Sequence, residues 1–301
     1  MRVTNHHATE QAIAAFTAAR GAMDLATARA TTGRRLLEAS DDPTAALSVL
    51  QNQGQSRAIE QYQRNIGAAN SRLSLESNTL DELTNILTRA KELAMGQASD
   101  NATPTTRKAS AAEANQLLAQ AVALANTKQN GEYVFGGQTS TTVPYSLNTF
   151  ASAFTFTVAA TPPAGTRSIE IAPGQYVTTA HDGITVFGDQ TSGVLQTLQS
   201  LAAALDSGSG PAVTATLAPL DTALDHTQVV SAEAGARINE LDTASANHQA
   251  LSVQLDADTS KLRDIDIEDA MTELASRQTA FQAAMAATAR VLGMSLTDYL
   301  R

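Results

Sequence analysis

A long run of regularly spaced apolar side chains occupies residues 59–94. They recur in steps of three and four, a spacing that places them on one face of a helix. The positions are Ile59, Tyr62, Ile66, Ala69, Leu73, Glu76, Leu80, Leu83, Leu87, Ala90 and Ala94. Only Glu76 interrupts the apolar series. At about 1.5 Å per residue such a helix is roughly 50 Å long, which predicts one rod of a helical bundle.

The last stretch, 264–301, carries apolar side chains with a seven-residue repeat. They are Met271, Leu274, Phe281, Met285 and Leu292, with polar residues at Gln278 and Thr288. An acidic cluster precedes them, consisting of Asp264, Asp266, Glu268 and Asp269, and acids are favourable at the start of a helix. A lone helix of this length is marginal in water, so the apolar stripe predicts a partner helix.

The best partner within the chain is its other end, Thr9–Leu37. This Ala-rich stretch has an amphipathic pattern built on Ile13, Phe16, Met23, Leu36 and Leu37. Basic residues exceed acids in the N-terminal stretch, whereas acids exceed bases in the C-terminal one, although exposed ion pairs contribute little. Two interpretations stay open: two ordinary surface helices of one globule, or a terminal coiled coil used for assembly.

Proline marks the predicted helix starts. In the turn formed by Asp41, Asp42 and Pro43, Asp42 suits the N-cap position and Pro43 the first helical residue. Thr103-Pro104 and Gly210-Pro211 repeat this arrangement. Further helices are predicted from residue 104 to the turn or stop signal near 130, from about 192 to 205, and from 212 to about 262. Pro219 indicates a break or the true start of the last one.

The middle of the chain has a different composition. Eight of the twelve aromatic residues lie between 133 and 187. Apolar and polar residues alternate at 154–158, 168–171 and 184–187, and Asp182-Gly183 has the composition of a hairpin turn. The pattern predicts a small β domain inserted into a helical chain.

Composition excludes several classes of protein. The formal net charge of −10 argues against a general nucleic-acid binder. The chain has no cysteine, which excludes disulfides and thiol catalysis and suits either a reducing compartment or a protein that stays unfolded during export. No run of 18 apolar residues predicts membrane insertion, and the first residues lack the apolar core of a cleaved signal peptide.

No set of residues predicts catalysis, a cofactor or a metal. The histidines are His6, His7, His181, His226 and His248, and none has a ligand-type spacing. The acidic cluster from Asp264 has Asp269 where a calcium loop needs Gly, so it indicates a helix start instead. The sequence therefore predicts a protein that is not an enzyme.

Several short motifs occur in order along the chain. They are Thr32-Gly33-Arg34-Arg35-Leu36, the segment 40–46, the segments 87–94 and 125–127, Gly131-Glu132-Tyr133-Val134-Phe135-Gly136-Gly137, the segment 235–239 and the segment 289–300. Together they resemble the flagellin-like axial proteins of the bacterial flagellum. Flagellins proper usually have Asp-Asp-Ala-Ala-Gly where this chain has Asp41-Asp42-Pro43-Thr44-Ala45, which favours the branch of the family that joins hook to filament. The region of about 138–190 matches nothing.

The resemblance implies a mainly α fold, a nested long-helix coiled-coil bundle with paired N- and C-terminal helices and a small β insert. The implied domains are 1–40 with 264–301 as an inner tube, 41–137 with 191–263 as a helical bundle, and 138–190 as an outward-facing β domain. The implied assembly interface consists of Ile13, Phe16, Met23, Leu36, Met271, Leu274, Phe281, Met285, Leu292, Leu296, Tyr299 and Leu300.

The resemblance also implies a junction adaptor that assembles by coupled folding of its terminal helices. Its partners would be further copies in a ring, a neighbouring hook-associated protein, flagellin and an export chaperone. It would lie outside the cell in the flagellum, after export without a cleaved signal. Two alternatives are a minor filament-forming flagellin and a secreted adhesive module displayed by the β insert.

Overall fold

The computed structural model describes residues 2–99, 101–150 and 153–299. Long helices dominate it. The helices are α1 (Arg2–Thr32), α2 (Pro43–Ala98), α3 (Pro104–Ala125), α4 (Gly183–Phe187), α5 (Val194–Asp206), α6 (Gly210–Thr214), α7 (Leu217–Arg263) and α8 (Ile267–Tyr299). Pro219 lies in the first turn of α7, a position where the missing N–H of proline costs no hydrogen bond.

The strands lie between α3 and α4 and form antiparallel pairs. β1 (Lys128–Gln129) pairs with β2 (Glu132–Tyr133), β3 (Tyr145–Phe150) with β4 (Ala153–Val158), and β5 (Ser168–Ala172) with β6 (Gln175–Thr178). Asn130 and Gly131 join β1 to β2 with φ angles of 51° and 86°. Both angles are left-handed, as a tight two-residue hairpin requires, so Asn130-Gly131 is a hairpin turn rather than a helix stop.

Helix α2 starts well before the periodic run that begins at residue 59. Asp42 is its N-cap, because Oδ1 of Asp42 accepts a hydrogen bond from the N–H of Ala45 at 3.0 Å. Pro43 follows as the first helical residue, where its fixed φ suits the helix. The same α2 side chains that define the apolar stripe, among them Leu73, Leu80 and Leu87, are completely buried.

The first helix ends earlier than the sequence pattern predicts. Helix α1 stops at Thr32, whereas the amphipathic pattern extends to Leu37. Gly33 has a φ of 67°, which ends the helix. Leu36 therefore lies in the connection to α2 and is not part of a helical stripe. The prediction that Leu36 belongs to the helix is wrong.

The segment 184–187 is a helix, not the strand predicted from its alternation. Oδ1 of Asp182 accepts a hydrogen bond from the N–H of Thr185 at 2.8 Å and so caps α4. Asp182 and Gly183 therefore begin a helix and do not form a hairpin turn. The single helical turn buries Val186 and Phe187. A four-residue alternation is too short to distinguish a strand from one turn of helix.

Replacing Asp182 by Ala is expected to lower the stability by about 2 kcal/mol, since two hydrogen bonds are lost. Besides capping α4, the carboxylate accepts a hydrogen bond from the N–H of Gly165 at 2.8 Å. Thermal unfolding of the full chain measures the effect. Asp182→Asn is the matched control, because its amide oxygen can still cap α4, and it should lose less. An unchanged melting temperature in Asp182→Ala would contradict this account.

The chain divides into two compact units, which differ from the three domains predicted from the sequence. One comprises Met1–Ala58 and Ala250–Arg301, and the other comprises Ile59–Gln249. Within the second unit, Tyr145 and Phe187 share one hydrophobic core with the α2 residue Leu83 and the α5 residue Leu198. Among the described residues, the buried side chains of 138–190, including Tyr145 and Phe187, share their cores with the helices, so this segment shows no separate core of its own.

Candidate assembly surface

The terminal helices α1 and α8 pack side by side in opposite directions. The rings of Phe16 and Phe281 lie 5.4 Å apart at an angle of 34°. Nearer the chain ends, the hydroxyl of Thr288 donates to the carbonyl of Ala12 at 3.3 Å. These contacts place the start of α1 beside the end of α8, as an antiparallel pair requires. We call α1 and α8 together the terminal helix pair.

Acidic residues begin α8, as the sequence predicts. Oδ1 of Asp266 accepts a hydrogen bond from the N–H of Glu268 at 2.8 Å. Glu268 and Asp269 occupy the first turn, where they interact favourably with the unpaired N–H groups of the helix. These interactions stabilise the first turn of α8.

The connections next to the terminal helix pair bind each other through backbone hydrogen bonds. The N–H of Arg35 donates to the carbonyl of Arg263 at 2.7 Å, and the N–H of Ile265 donates to the carbonyl of Gly33 at 3.0 Å. Arg34 and Asp264 form an isolated antiparallel bridge between these hydrogen bonds. The short link from α7 to α8 is thereby joined to the link from α1 to α2.

The link from α1 to α2 is further ordered by the paired acids at its end. Oδ2 of Asp41 accepts from the N–H groups of Leu37 and Glu38 at 3.0 and 3.1 Å. The hydrogen bond from Glu38, followed by that from Leu37, holds the pKa of Asp41 below its ordinary value. The pKa of Asp42 is likewise lowered, first by the N–H of Ala45. Both carboxylates therefore stay ionised at neutral pH.

Large apolar side chains of the terminal helix pair remain substantially exposed. Phe16, Met23, Leu274 and Phe281 are partly buried, whereas Ile13, Met271 and Met285 keep 48%, 54% and 48% of their surface exposed. Among the side chains of the pair that the structure describes, the buried ones are small, Ala26 and Ala270. Two helices alone cannot cover an apolar stripe of this width, so the pair has an uncovered apolar side.

Several exposed apolar residues were missed by the sequence analysis. Leu25 and Ile267 are exposed on the terminal helix pair, although neither belongs to the seven-residue repeat. In the same unit, Leu47 and Leu50 are exposed one helical turn apart on α2. Their spacing of three residues is the signal that could have identified them.

Four of the predicted interface residues lie wholly or partly outside the described residues. Leu292, Leu296 and Tyr299 belong to α8, but their side chains lie outside the described residues. Leu300 lies outside the described residues altogether. Leu36, as noted, lies in the link before α2 and is half-buried there.

The described residues contain no group of three or more acidic, histidine or cysteine side chains able to hold a metal ion. His248 instead packs within its unit, where its Nε2 lies 2.6 Å from the carbonyl of Ile171 and its ring stacks on Tyr62. In the described part of the chain, no helix combines the length and the apolar character that crossing a bilayer requires.

Models of known protein families match both ends of the chain. The family model for the bacterial flagellin N-terminal helical region matches residues 3–140. The model for the bacterial flagellin C-terminal helical region matches residues 217–300. Together these matches cover most of the chain, and they include all of α2 and α8 and all of α1 except its first residue. The chain belongs to the bacterial flagellin family.

Within that family the chain is similar to proteins named flagellar hook-associated protein 3. The protein of Escherichia coli (strain K12) is 26% identical over 292 residues, covering 88% of this chain and 89% of the relative. The protein of Salmonella typhimurium is 24% identical over 325 residues, covering 98% of both chains. The two relatives thus match almost from end to end.

Solved structures agree on the fold. A flagellar hook-associated protein from Vibrio parahaemolyticus aligns with a TM-score of 0.65 at 22% identity, covering 74% of this chain and all of that one. The flagellar junction protein FlgL from Legionella pneumophila gives 0.58 at 20% identity, covering 72% and 100%. The predicted fold class, a mainly helical flagellin-like chain with a small β insert, is confirmed.

Proposed function

We propose that this protein is a structural subunit of the bacterial flagellar axis that joins the hook to the filament. The observation that carries the proposal is the uncovered apolar side of the terminal helix pair in a chain of the flagellin family. The names of the relatives support the particular position, since both curated relatives are hook-associated proteins and the Legionella relative is described as a flagellar junction protein.

Assembly would proceed by burying that apolar side between neighbouring subunits. Fully burying one Leu, Met, Ile or Phe side chain contributes about 1.5–3 kcal/mol. Ile13, Met271 and Met285 are half-exposed in the single chain, so each has surface left to bury. Ordering the terminal helices on docking would offset part of this gain. The interface we propose consists of the residues of the assembly interface predicted from the sequence together with Leu25 and Ile267.

The proposed partners follow from a position between hook and filament. They are further copies in a ring, a hook-associated protein on one side, flagellin on the other, and an export chaperone before assembly. The protein would lie outside the cell in the flagellum. Catalysis, a cofactor, nucleic-acid binding and membrane insertion have no part in this function.

Deleting the gene in its host tests the proposal. Cells lacking the protein should carry hooks without filaments and should release unpolymerised flagellin into the medium, because the filament would have no base on which to start. Electron microscopy and an assay of flagellin in the medium give the result. Complementation with the intact gene is the control, and normal filaments in the deletion strain would overturn the junction role.

A second measurement separates the junction role from that of a minor flagellin. The purified chain should not form filaments when it is incubated alone or with flagellin seeds, because a junction subunit has different partners on its two sides. Sedimentation and electron microscopy would detect polymers. Filaments made of this chain alone would favour a minor flagellin instead.

A further inference from the structure

A fully buried carboxylate lies in the middle of α2. Glu76 has no exposed surface, although it interrupts an otherwise apolar stripe. Both of its oxygens accept from the backbone N–H of His181 at 3.2 Å, and Oε1 also lies 2.5 Å from Nδ1 of the His181 ring. A buried carboxylate persists only where hydrogen bonds or an opposite charge replace its lost hydration. His181 supplies both.

The other side of the same imidazole faces a second carboxylate. Nε2 of His181 lies 3.0 Å from Oε2 of Glu233 on α7. His181 follows β6, so its ring connects α2, the segment after β6 and α7. The two carboxylates differ in environment, because the Glu233 side chain is 54% exposed. We call Glu76, His181 and Glu233 the His181 bridge.

Other charged groups surround the His181 bridge. On α7, Arg237 lies one turn beyond Glu233, with Nη1 3.5 Å from Nδ1 of His181 and Nη2 3.8 Å from Glu233. On α2, Arg72 lies one turn before Glu76 and is bound by Glu132 of β2 at 3.6 Å. The remaining groups nearby are Arg167, which pairs with Glu132, and His226, which acts on Glu233 through its charge. Each carboxylate nevertheless lies closer to its ring nitrogen than Arg237 does, with Glu76 at Nδ1 and Glu233 at Nε2.

Only the imidazolium form can donate to both carboxylates at once, because neutral histidine has a single ring N–H. Burial by itself lowers the pKa of His181, but the hydrogen bond and charge of Glu76, followed by the hydrogen bond of Glu233, outweigh it and raise that pKa above its ordinary value. Correspondingly, the hydrogen bond from His181 lowers the pKa of Glu233.

We propose that the His181 bridge attaches α7 to α2 in a pH-dependent way. Deprotonation of His181 breaks the hydrogen bond to Glu233 and keeps the hydrogen bond to Glu76. The proton leaves Nε2 for solvent, on the side where Glu233 is half-exposed. Nδ1 keeps its hydrogen because the buried Glu76 carboxylate has no water to replace it. The lone pair left on Nε2 then faces a carboxylate, and Glu233 turns toward water.

The direction of the pH effect follows from the raised pKa. Stability that the bridge contributes is fully present below the pKa of an unfolded histidine, about 6.5. It is lost as the pH rises through the folded value. The effect concerns packing within the unit Ile59–Gln249, so it is independent of the proposed junction role.

Selective ¹⁵N labelling of histidine in the full chain tests the proposal. Ring nitrogen shifts followed by NMR from acidic to alkaline pH should show His181 changing from imidazolium to the neutral form with hydrogen on Nδ1. Amide exchange of the α7 residues around Glu233, corrected for its intrinsic dependence on pH, should rise several-fold over the same interval. A neutral form with hydrogen on Nε2, or corrected exchange that stays constant, would overturn the proposal.

The variant Glu233→Gln provides the matched test. Because Glu233 is half-exposed, the substitution leaves the buried Glu76 contact in place. Removing an adjacent opposite charge should lower the pKa of His181 by about one unit, and α7 exchange should lose most of its pH dependence, since glutamine can donate to neutral Nε2. His248→Gln removes another α7 histidine and should leave the His181 titration unchanged. An unaltered titration midpoint in Glu233→Gln would contradict the bridge.

Discussion

Replacing Phe281 by Asp is expected to abolish incorporation into the flagellar axis while the unit Ile59–Gln249 stays folded. Phe281 packs on Phe16 at 5.4 Å, in the middle of the terminal helix pair. A carboxylate there would separate the helices and place an unpaired charge in the surface that we propose to be buried on assembly. Such a charge costs about 3 kcal/mol or more, which corresponds to at least about a 100-fold loss of binding.

Complementation of the deletion strain with the Phe281→Asp gene measures the effect through filament number and swimming. Gln282→Asp is a matched control, because it introduces the same charge at the next residue of α8, which is exposed in the single chain. Phe281→Leu is a second control that keeps an apolar side chain. Unfolding of the purified variant should show the second unit unchanged. Wild-type filament numbers with Phe281→Asp would remove the terminal helix pair from the assembly interface.

Replacing Gly188 by Ala is expected to destabilise the second unit by about 3 kcal/mol. Gly188 has a φ of 86°, and an added Cβ would lie 2.1 Å from the carbonyl oxygen of Ser192 and 2.5 Å from Cα of Gly193. The contacts are with backbone, so no side chain can turn away to relieve them. The carbonyl of Gly188 also accepts the hydrogen bond of the buried Tyr145 hydroxyl at 2.8 Å. Movement of this backbone would therefore disturb the core.

A substitution at a second glycine distinguishes the cost of backbone strain from the cost of the steric clash. Gly174 has a similar φ of 73°, but an added Cβ would meet no atom within 4 Å. Gly174→Ala should therefore cost only about 1 kcal/mol. Thermal unfolding of both variants gives the comparison, with a fall of about 10 °C expected for Gly188→Ala. Equal effects in the two variants would show that the contact with Ser192 and Gly193 is unimportant.

The elements that were predicted well are those in which one local pattern extends over many residues. The apolar stripe of α2 repeats over ten turns, and Asp42-Pro43 marks its start with a side-chain cap that needs no distant partner. Short segments lack this redundancy. The alternation at 184–187 suits a strand and one helical turn equally, and the hydrogen bonds of Asp182 decide in favour of the helix.

The candidate site was predictable only in part, because the exposure of an apolar side chain on α1 or α8 depends on what the other helix of the pair covers. The seven-residue repeat identifies Phe281 and the amphipathic pattern of the N-terminal stretch identifies Phe16, but neither shows that Met271 and Met285 remain half-exposed in the single chain. The His181 bridge was not predictable, since its residues are far apart in the sequence. The one local sign of it was Glu76, a charge in an apolar stripe.

The hydrogen bonds between the link at Gly33 and the link at Asp264 fix the alignment of the two terminal helices relative to each other. A slip of one residue would rotate a helix by about 100° and shift it by about 1.5 Å, and the bonds from Arg35 to Arg263 and from Ile265 to Gly33 would no longer meet. Ile13 and Met285 therefore lie at fixed distances from these hydrogen bonds. In the ring that we propose, every copy of the chain would present its exposed apolar side chains in the same arrangement, so neighbouring subunits would share one alignment.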